Sequence, residues 1–221
     1  MEMRMQRFRG REFRVIRGTT HPEYSYFTFE EEERDLRERY WNVKEGDIVV
    51  DVGSSYGAYA LTACAMGATV HAFEPEPTVF EDLLRNIVLN GWGKRCLASC
   101  HGLWSASGKI DMRSYAPHWP RQTISGDYEM ETLDGVLEAR RVQRCDWIKV
   151  DVEGAEEHVV KGALKTIAQF GPRMLIECHT FLDAGLAEKV KSAILSVREY
   201  EFEAIDRPPC VMLYAKPLGA P

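Results

Sequence analysis

Four acids and a histidine close short apolar runs in this chain: Asp51, Glu74, Asp151, Glu177 and His179. Carboxylates and an imidazole placed at strand ends can bind cations, accept hydroxyl hydrogen bonds and move protons. The first of them ends Ile48-Val49-Val50-Asp51-Val52, a mostly β-branched run that reads as a buried strand. Gly53-Ser54-Ser55-Tyr56-Gly57 follows, and an apolar helix from Ala58 to Met66 begins at once. Glycines at the two ends of such a loop let a ligand lie against the main chain. The helix start points free N–H groups and partial positive charge at that ligand. A dinucleotide site would read G-x-G-x-x-G, whereas here an acid stands just ahead of a D-x-G-x-x-x-G string. Asp51 would repel a phosphate and suits an ammonium or sulfonium. Glu74 ends the next strand, Ala68 to Phe73, at the remove where an acid accepts from both hydroxyls of a ribose. Adenosine joined to a cationic amino acid without phosphate describes S-adenosylmethionine. Asp51, Gly53, Ser54, Tyr56, Gly57, Glu74 and Pro75 are therefore candidates to bind it.

The remaining acids and His179 belong to a second site. Asp146 to Val152 reads as a central strand ending in Asp151, with Glu153 and Glu156 close behind, and Arg173 to His179 as another. Ligands of open α/β sheets bind beyond the carboxyl ends of the strands, so Asp151, Glu177 and His179 should face the substrate. Methyl transfer from a sulfonium is an in-line displacement, governed mainly by the placing of acceptor and methyl. A hydroxyl acceptor also gains from a base. The ordinary pKa of histidine makes His179 the candidate. Asp151 can orient the acceptor, take its proton, or join Glu153 and Glu177 around a hard cation such as Mg²⁺, although no metal is assigned. Glu153 and Glu156 also suit a helix N-terminus as plain capping acids, and Lys149 shares a strand face with Asp151. Leu103 and Trp104, after a third strand from Cys96 to Gly102, stand where an adenine needs a flat apolar wall.

The elements that must position these groups alternate along the chain. Phe8, Phe13, Val15 and Ile16 suggest one or two edge strands in residues 1–20, and Glu30 to Tyr40 a charged helix. Tyr26 and Phe27 precede that helix, in a segment placed to close over the ligand. In Glu76 to Asn90, Val79, Phe80, Leu83, Leu84, Ile87 and Val88 recur at helical spacing and predict a stripe facing the sheet. Ser107 to Arg113 suggests an extra strand. The loop Tyr115 to Tyr128 offers His118, Trp119, Arg121 and Gln122 as a substrate surface. Thr132 starts a short helix to Arg140, and further helices are expected over Glu156 to Gln169 and Leu186 to Val197. Strands from Glu199 to Asp206 and Cys210 to Lys216 flank Pro208-Pro209, a turn too tight for a parallel crossover. The pattern is α/β: a mostly parallel seven-stranded sheet with an antiparallel C-terminal strand. Residues 1–45 would be an N-terminal arm with a lid helix, and 46–221 the catalytic part of a single structural domain.

Composition fits an ordinary globule, with 45% hydrophobic and 28% charged residues in 221. No stretch has the apolar length of a membrane span, and the arginine-rich start lacks the apolar core of a secretory signal. Six scattered cysteines without a C-x-x-C pair read as reduced thiols in a cytoplasmic protein. A net charge of −6 argues against general nucleic-acid binding. It is uneven, however: Arg4, Arg7, Arg9, Arg11, Arg14 and Arg17 crowd the first segment, ahead of the acidic run Glu30 to Glu33. Both are read as solvated faces, with an anion-greeting arm as the alternative. Oligomerisation is left open.

Val50 to Gly57, Phe73-Glu74-Pro75, Glu131-Thr132-Leu133-Asp134, Ile148 to Glu156 and Leu175 to His179 together resemble the FkbM-type S-adenosylmethionine-dependent methyltransferases. Ile148-Lys149-Val150-Asp151-Val152-Glu153-Gly154-Ala155-Glu156 is the most specific part. The resemblance implies a Rossmann-like class I methyltransferase fold and O-methylation of a sugar, glycoside or nucleoside-type natural product. It would place Asp51, Gly53 and Gly57 on the methionine end, Glu74 on the ribose and Asp151 beside the transferred methyl. Three other readings stand beside a small hydroxylated acceptor. An RNA methyltransferase would grip phosphate with the arginine arm and bind in a salt-dependent way. An NAD-dependent oxidoreductase lacks its glycine fingerprint. A catalytically silent S-adenosylmethionine-binding protein would not respond to Asp151→Ala or His179→Ala.

Overall fold

The computed structural model describes residues 3–16, 34–111 and 127–219. These fall into two compact units divided between Cys100 and His101. Tyr26, Phe27, Arg17, Glu30 to Glu33, His118, Trp119, Arg121 and Gln122 lie outside the described residues.

The first unit opens with a hairpin, β1 (Met3–Phe8) and β2 (Arg11–Ile16), antiparallel with Phe8 opposite Arg11. Arg9 and Gly10 both take positive φ, 46° and 79°, as a two-residue hairpin turn requires. Phe8, Phe13 and Val15 bury one face. Helix α1 (Arg34–Tyr40) leads to Trp41, whose ring meets Tyr59 edge-on at 5.1 Å. Strands β3 (Ile48–Val52), β4 (Thr69–Phe73) and β5 (Cys96–Ser99) then run parallel in that order. Helix α2 (Ala58–Ala65) is buried from Ala58 to Cys64, which is why its sequence has no polar stripe. Helix α3 (Pro77–Leu89) departs from the expected stripe. Leu83 and Ile87 are buried beside Asp82 and Asn86, while Leu84 and Val88 are exposed. Two polar side chains have taken half of the inward face.

The second unit begins with a small sheet of β6 (Gly102–Leu103), β7 (Gly108–Asp111) and β8 (Asp127–Glu131), in the order β6-β8-β7. The expected strand Cys96 to Gly102 is thus two strands in separate sheets. Asp127 and Tyr128, read from sequence as loop, start β8. Helix α4 (Leu133–Ala139) is capped by the Thr132 hydroxyl, which accepts from Gly135 N at 3.1 Å. Strands β9 (Trp147–Val150) and β10 (Arg173–Cys178) are parallel. Helix α7 (Leu186–Leu195), β11 (Tyr200–Arg207) and β12 (Cys210–Pro217) complete the chain, with β12 antiparallel to both β10 and β11. The α/β pattern and its single reversed C-terminal strand match the sequence expectation.

The helix expected over 156–169 is two helices, α5 (Glu156–Lys161) and α6 (Leu164–Phe170), broken at Gly162. A Cβ at Gly162 would run into the carbonyl oxygen of Trp104. Gly162→Ala is therefore expected to destabilise the protein by about 3 kcal/mol through backbone overpacking, read as a lower denaturant midpoint. An unchanged midpoint would contradict this packing.

Candidate active site

The loop after β3 belongs to the first unit and is built from alternating left-handed residues: Gly53 (φ 73°), Ser55 (φ 48°) and Gly57 (φ 100°). The φ of Gly57 calls for glycine, and a Cβ there would also press on the Leu83 side chain, 2.9 Å from its Cδ1. The amides of Gly53 and Ser54 donate to Phe73 O at 3.0 and 2.9 Å. The Ser54 hydroxyl donates to Asp51 O at 2.8 Å and accepts from Phe73 N at 3.1 Å, tying the ends of β3 and β4 together. Ser54 is thus a builder of the loop. Tyr56 is buried and Pro75 half-buried. Helix α2 has Gly57 as its N-cap with no side-chain cap, leaving its first amides for a ligand.

Glu74 is 5% exposed and shapes this loop with both oxygens: Oε2 accepts from Ser55 N at 2.9 Å and Oε1 from Glu76 N at 3.0 Å. Burial pushes its pKa up to about 7; the amides of Glu76 and Ser55 oppose this, and the charges of Glu76 and Asp51 add to it. Each carboxylate oxygen keeps a further acceptor site. Asp51 is buried at the end of β3, at 2% exposure.

In the second unit Leu103 is buried and Trp104 half-buried. One face of the Trp104 indole is taken by His158, stacked at 4.0 Å and 11°. Burial lowers the pKa of His158, whose Nδ1 lies 3.3 Å from Ser105 Oγ. An adenine wall at Trp104 would have to use the opposite face.

Asp151, Glu153, Glu156, Glu177 and His179 converge in this same unit. Asp151 follows β9, and a turn through Glu153 (φ 55°) and Gly154 (φ 105°) delivers Glu156 to the first position of α5. His179 follows β10 and is 4% exposed. Its Nδ1 lies 2.7 Å from Glu156 Oε1; its Nε2 lies 3.3 Å from Glu153 Oε2 and 3.8 Å from Asp151 Oδ1. Lys149 Nζ stands 3.4 Å from Asp151 Oδ2, the pairing expected from their shared strand face. Glu177 and Cys210 also come within reach of His179. Asp151, Glu153 and His179 each offer one ligand atom, all within 4.8 Å of one another, and could hold a cation.

Two sequence expectations change here. Burial works against charge on His179, yet its hydrogen bond to Glu156 and the charges of Glu153, Asp151 and Glu156 push its pKa up to about 9, away from the ordinary histidine value. Glu156 is more than a capping acid. It is fully buried, and its Oε1 serves both His179 and Gly154 N, the latter at 3.1 Å. The signal was present in the spacing: Glu156 lies three, four and seven residues before Val159, Val160 and Ala163, on the buried face of the helix. Phe181 was also missed; it is half exposed and meets the His179 ring edge-on at 5.9 Å.

A carboxylate behind Nδ1 orients the ring and turns Nε2 toward Asp151 and Glu153, the arrangement of an oriented proton acceptor once Nε2 is deprotonated. A cavity of about 470 Å³ between α4 and α6, lined by Asp134, Leu137, Lys165 and Phe170 among others, contains none of these residues. Among the described residues no helix is long and apolar enough to cross a membrane. Five of the six cysteines are buried free thiols, and Cys100 is exposed.

The Methyltransferase FkbM domain matches residues 47–205. Hexuronic acid methyltransferase AglP of Haloferax volcanii is 30% identical over 145 residues, covering 63% of this chain and 59% of that protein. Methyltransferase sdnD of Sordaria araneosa is 27% identical, covering 55% and 62% respectively. The chain thus spans about six tenths of the length of the curated relatives it matches. Methyltransferase FkbM from Methylobacillus flagellatus KT superimposes with a TM-score of 0.62 at 17% identity, over 78% of this chain and 44% of that one. Aeropyrum pernix fibrillarin in complex with S-adenosyl-L-methionine gives a TM-score of 0.51 at 16% identity, over 96% and 81%. The fold is that of the Rossmann-like methyltransferases, and the chain belongs to the FkbM methyltransferase domain family.

Proposed function

We propose that this protein transfers the methyl group of S-adenosylmethionine to a hydroxyl of a small, sugar-like molecule. The observation that carries the reading is His179, held through Nδ1 by buried Glu156 and turned through Nε2 toward Asp151 and Glu153. Asp51 suits the cofactor's ammonium, the loop Gly53 to Gly57 its methionine end, and Glu74 its ribose. Pro75, Leu103 and Trp104 are assigned to the adenine. Asp151, Glu177 and His179 are assigned to the acceptor. In the reaction the acceptor oxygen attacks the methyl carbon, the carbon–sulfur bond breaks and the sulfonium becomes a neutral thioether. The hydroxyl proton passes to Nε2 of His179, and Asp151 accepts a hydrogen bond that aims the oxygen. The hexuronic acid methyltransferase among the relatives supports a sugar acceptor. The arginine arm gives little support to RNA: Arg7 pairs with Glu12, and Arg9 donates to Glu38 O.

Calorimetry with S-adenosylmethionine, S-adenosylhomocysteine and NAD tests the cofactor, and transfer of labelled methyl to hexuronates and methyl hexosides tests the acceptor. We expect both sulfur ligands to bind, label to reach a sugar hydroxyl, and the rate in EDTA to equal that in Mg²⁺. The last follows because Lys149 Nζ and His179 Nε2 already stand against Asp151 and Glu153, where a cation would have to sit. NAD binding without either sulfur ligand would overturn the cofactor. A rate that collapses in EDTA would overturn the metal-free mechanism.

A further inference from the structure

Asn86 is fully buried on α3, one turn before Asn90, the C-cap of that helix. Its Oδ1 accepts from Ile16 N at 2.8 Å and its Nδ2 donates to Tyr56 O at 3.0 Å. One amide therefore joins the last residue of β2 to the centre of the loop assigned to the cofactor. Asn90 extends the same contact without touching the loop. Its Oδ1 accepts from Arg14 N, and its Nδ2 donates to Arg14 O, each at 2.7 Å, and to Asn86 O at 2.8 Å. On the edge of β2 that faces away from β1, the two asparagines take the place of a neighbouring strand.

The bond to Tyr56 O falls at the most constrained point of the loop. Tyr56 sits between Ser55 at φ 48° and Gly57 at φ 100°. The peptide unit is planar, so holding Tyr56 O toward Asn86 sends Gly57 N–H the other way. There it donates to Ser54 O at 2.8 Å and closes the turn. A buried amide that loses one partner keeps the desolvation penalty of the orphaned atom, so the two bonds of Asn86 favour each other.

We propose that Asn86 is a positioning residue for the cofactor loop and couples docking of the amino-terminal hairpin to cofactor affinity. The inference rests on the reading that residues 53–57 hold S-adenosylmethionine. Coupling between two sites is reciprocal, so cofactor binding must also tighten the hairpin.

Hydrogen exchange of the segment 3–16 in the full chain, with and without S-adenosylmethionine, tests this without any substitution. The cofactor is expected to slow exchange there. Asn86→Ala is expected to weaken S-adenosylmethionine binding about tenfold, the worth of one net hydrogen bond. It should also abolish the cofactor-dependent slowing. Asn86→Asp keeps the acceptor for Ile16 N but loses the donor to Tyr56 O, and should weaken binding at least as much. Asn90→Ala should speed hairpin exchange while leaving affinity within twofold of the parent. Binding of S-adenosylmethionine with no change in hairpin exchange overturns the coupling alone. An Asn86→Ala variant of parental affinity does the same, whereas an Asn90→Ala variant as weak as it overturns the assignment of Asn86 as the positioning residue. Absence of binding by the unaltered protein overturns the cofactor reading and the coupling with it.

Discussion

Glu74→Gln is expected to weaken S-adenosylmethionine binding about a hundredfold and to remove its pH dependence. The carboxylate already accepts one amide on each oxygen, from Ser55 and Glu76, and retains one acceptor site on each for the two ribose hydroxyls. Hydrogen bonds to a charged acceptor contribute about 1.5–3 kcal/mol each. The loss of charge across that pair, about 2.7 kcal/mol, is the expected factor of a hundred. The amide of glutamine must also turn its NH₂ either toward a loop amide, which offers only a donor, or toward a ribose hydroxyl, which would then have to accept where it had donated. The pH dependence follows from burial, which holds the pKa of Glu74 at about 7 in the free protein. Ribose hydroxyls donate to the ionised form and so lower that pKa on binding. A proton is released, and affinity rises as pH climbs toward 7, by up to about tenfold per unit. Calorimetry in two buffers of different ionisation heat reads the proton directly. Zero proton release near pH 6, or a glutamine variant within threefold of the parent, would remove Glu74 from the ribose.

Legibility in the sequence tracked the range of the forces involved. The run Ile48 to Gly57 announced strand, turn and helix because β-branched residues, two glycines and an apolar stretch act within a dozen residues. The Thr132 cap was equally local, a hydroxyl reaching Gly135 three residues on. The same cannot be said of the break at Gly162. The glycine there answers to the carbonyl oxygen of Trp104, far back in the chain, which leaves no room for a Cβ. The α3 stripe misled for a related reason. Asn86 lies on the inward face because its side-chain amide serves both β2 and the loop, which periodicity counts as a polar, outward position. The candidate site behaved the same way. Strand ends placed Asp151, Glu177 and His179 near one another. What the histidine does depended on Glu156, 23 residues earlier, which looked sufficient as a helix-start acid.

His179→Ala is expected to lower kcat by about three orders of magnitude while leaving S-adenosylmethionine affinity unchanged, the range for loss of a positioned general base. The pH profile separates this from a merely structural role. Three nearby acids, against the opposing pull of burial, raise the pKa of His179 to about 9, so in the free protein the imidazole is mostly protonated at neutral pH. A base must start unprotonated; kcat/KM should therefore rise about tenfold per unit below pH 9 and level above it. In His179→Gln that limb should vanish along with most of the rate. Glu156→Gln supplies the sharper test. Glutamine can still meet Nδ1 through its carbonyl oxygen, so the ring stays oriented, but the charge that favours imidazolium is gone. With burial then less opposed, the limb should move to lower pH, while the plateau falls because the imidazolium formed during transfer has lost its counter-charge. A limb that stays in place in Glu156→Gln would show that another group takes the proton. In that case Asp151, half-buried and flanked by Lys149 at 3.4 Å, is the first carboxylate to replace as the acceptor of that proton, ahead of Glu153 and Glu177.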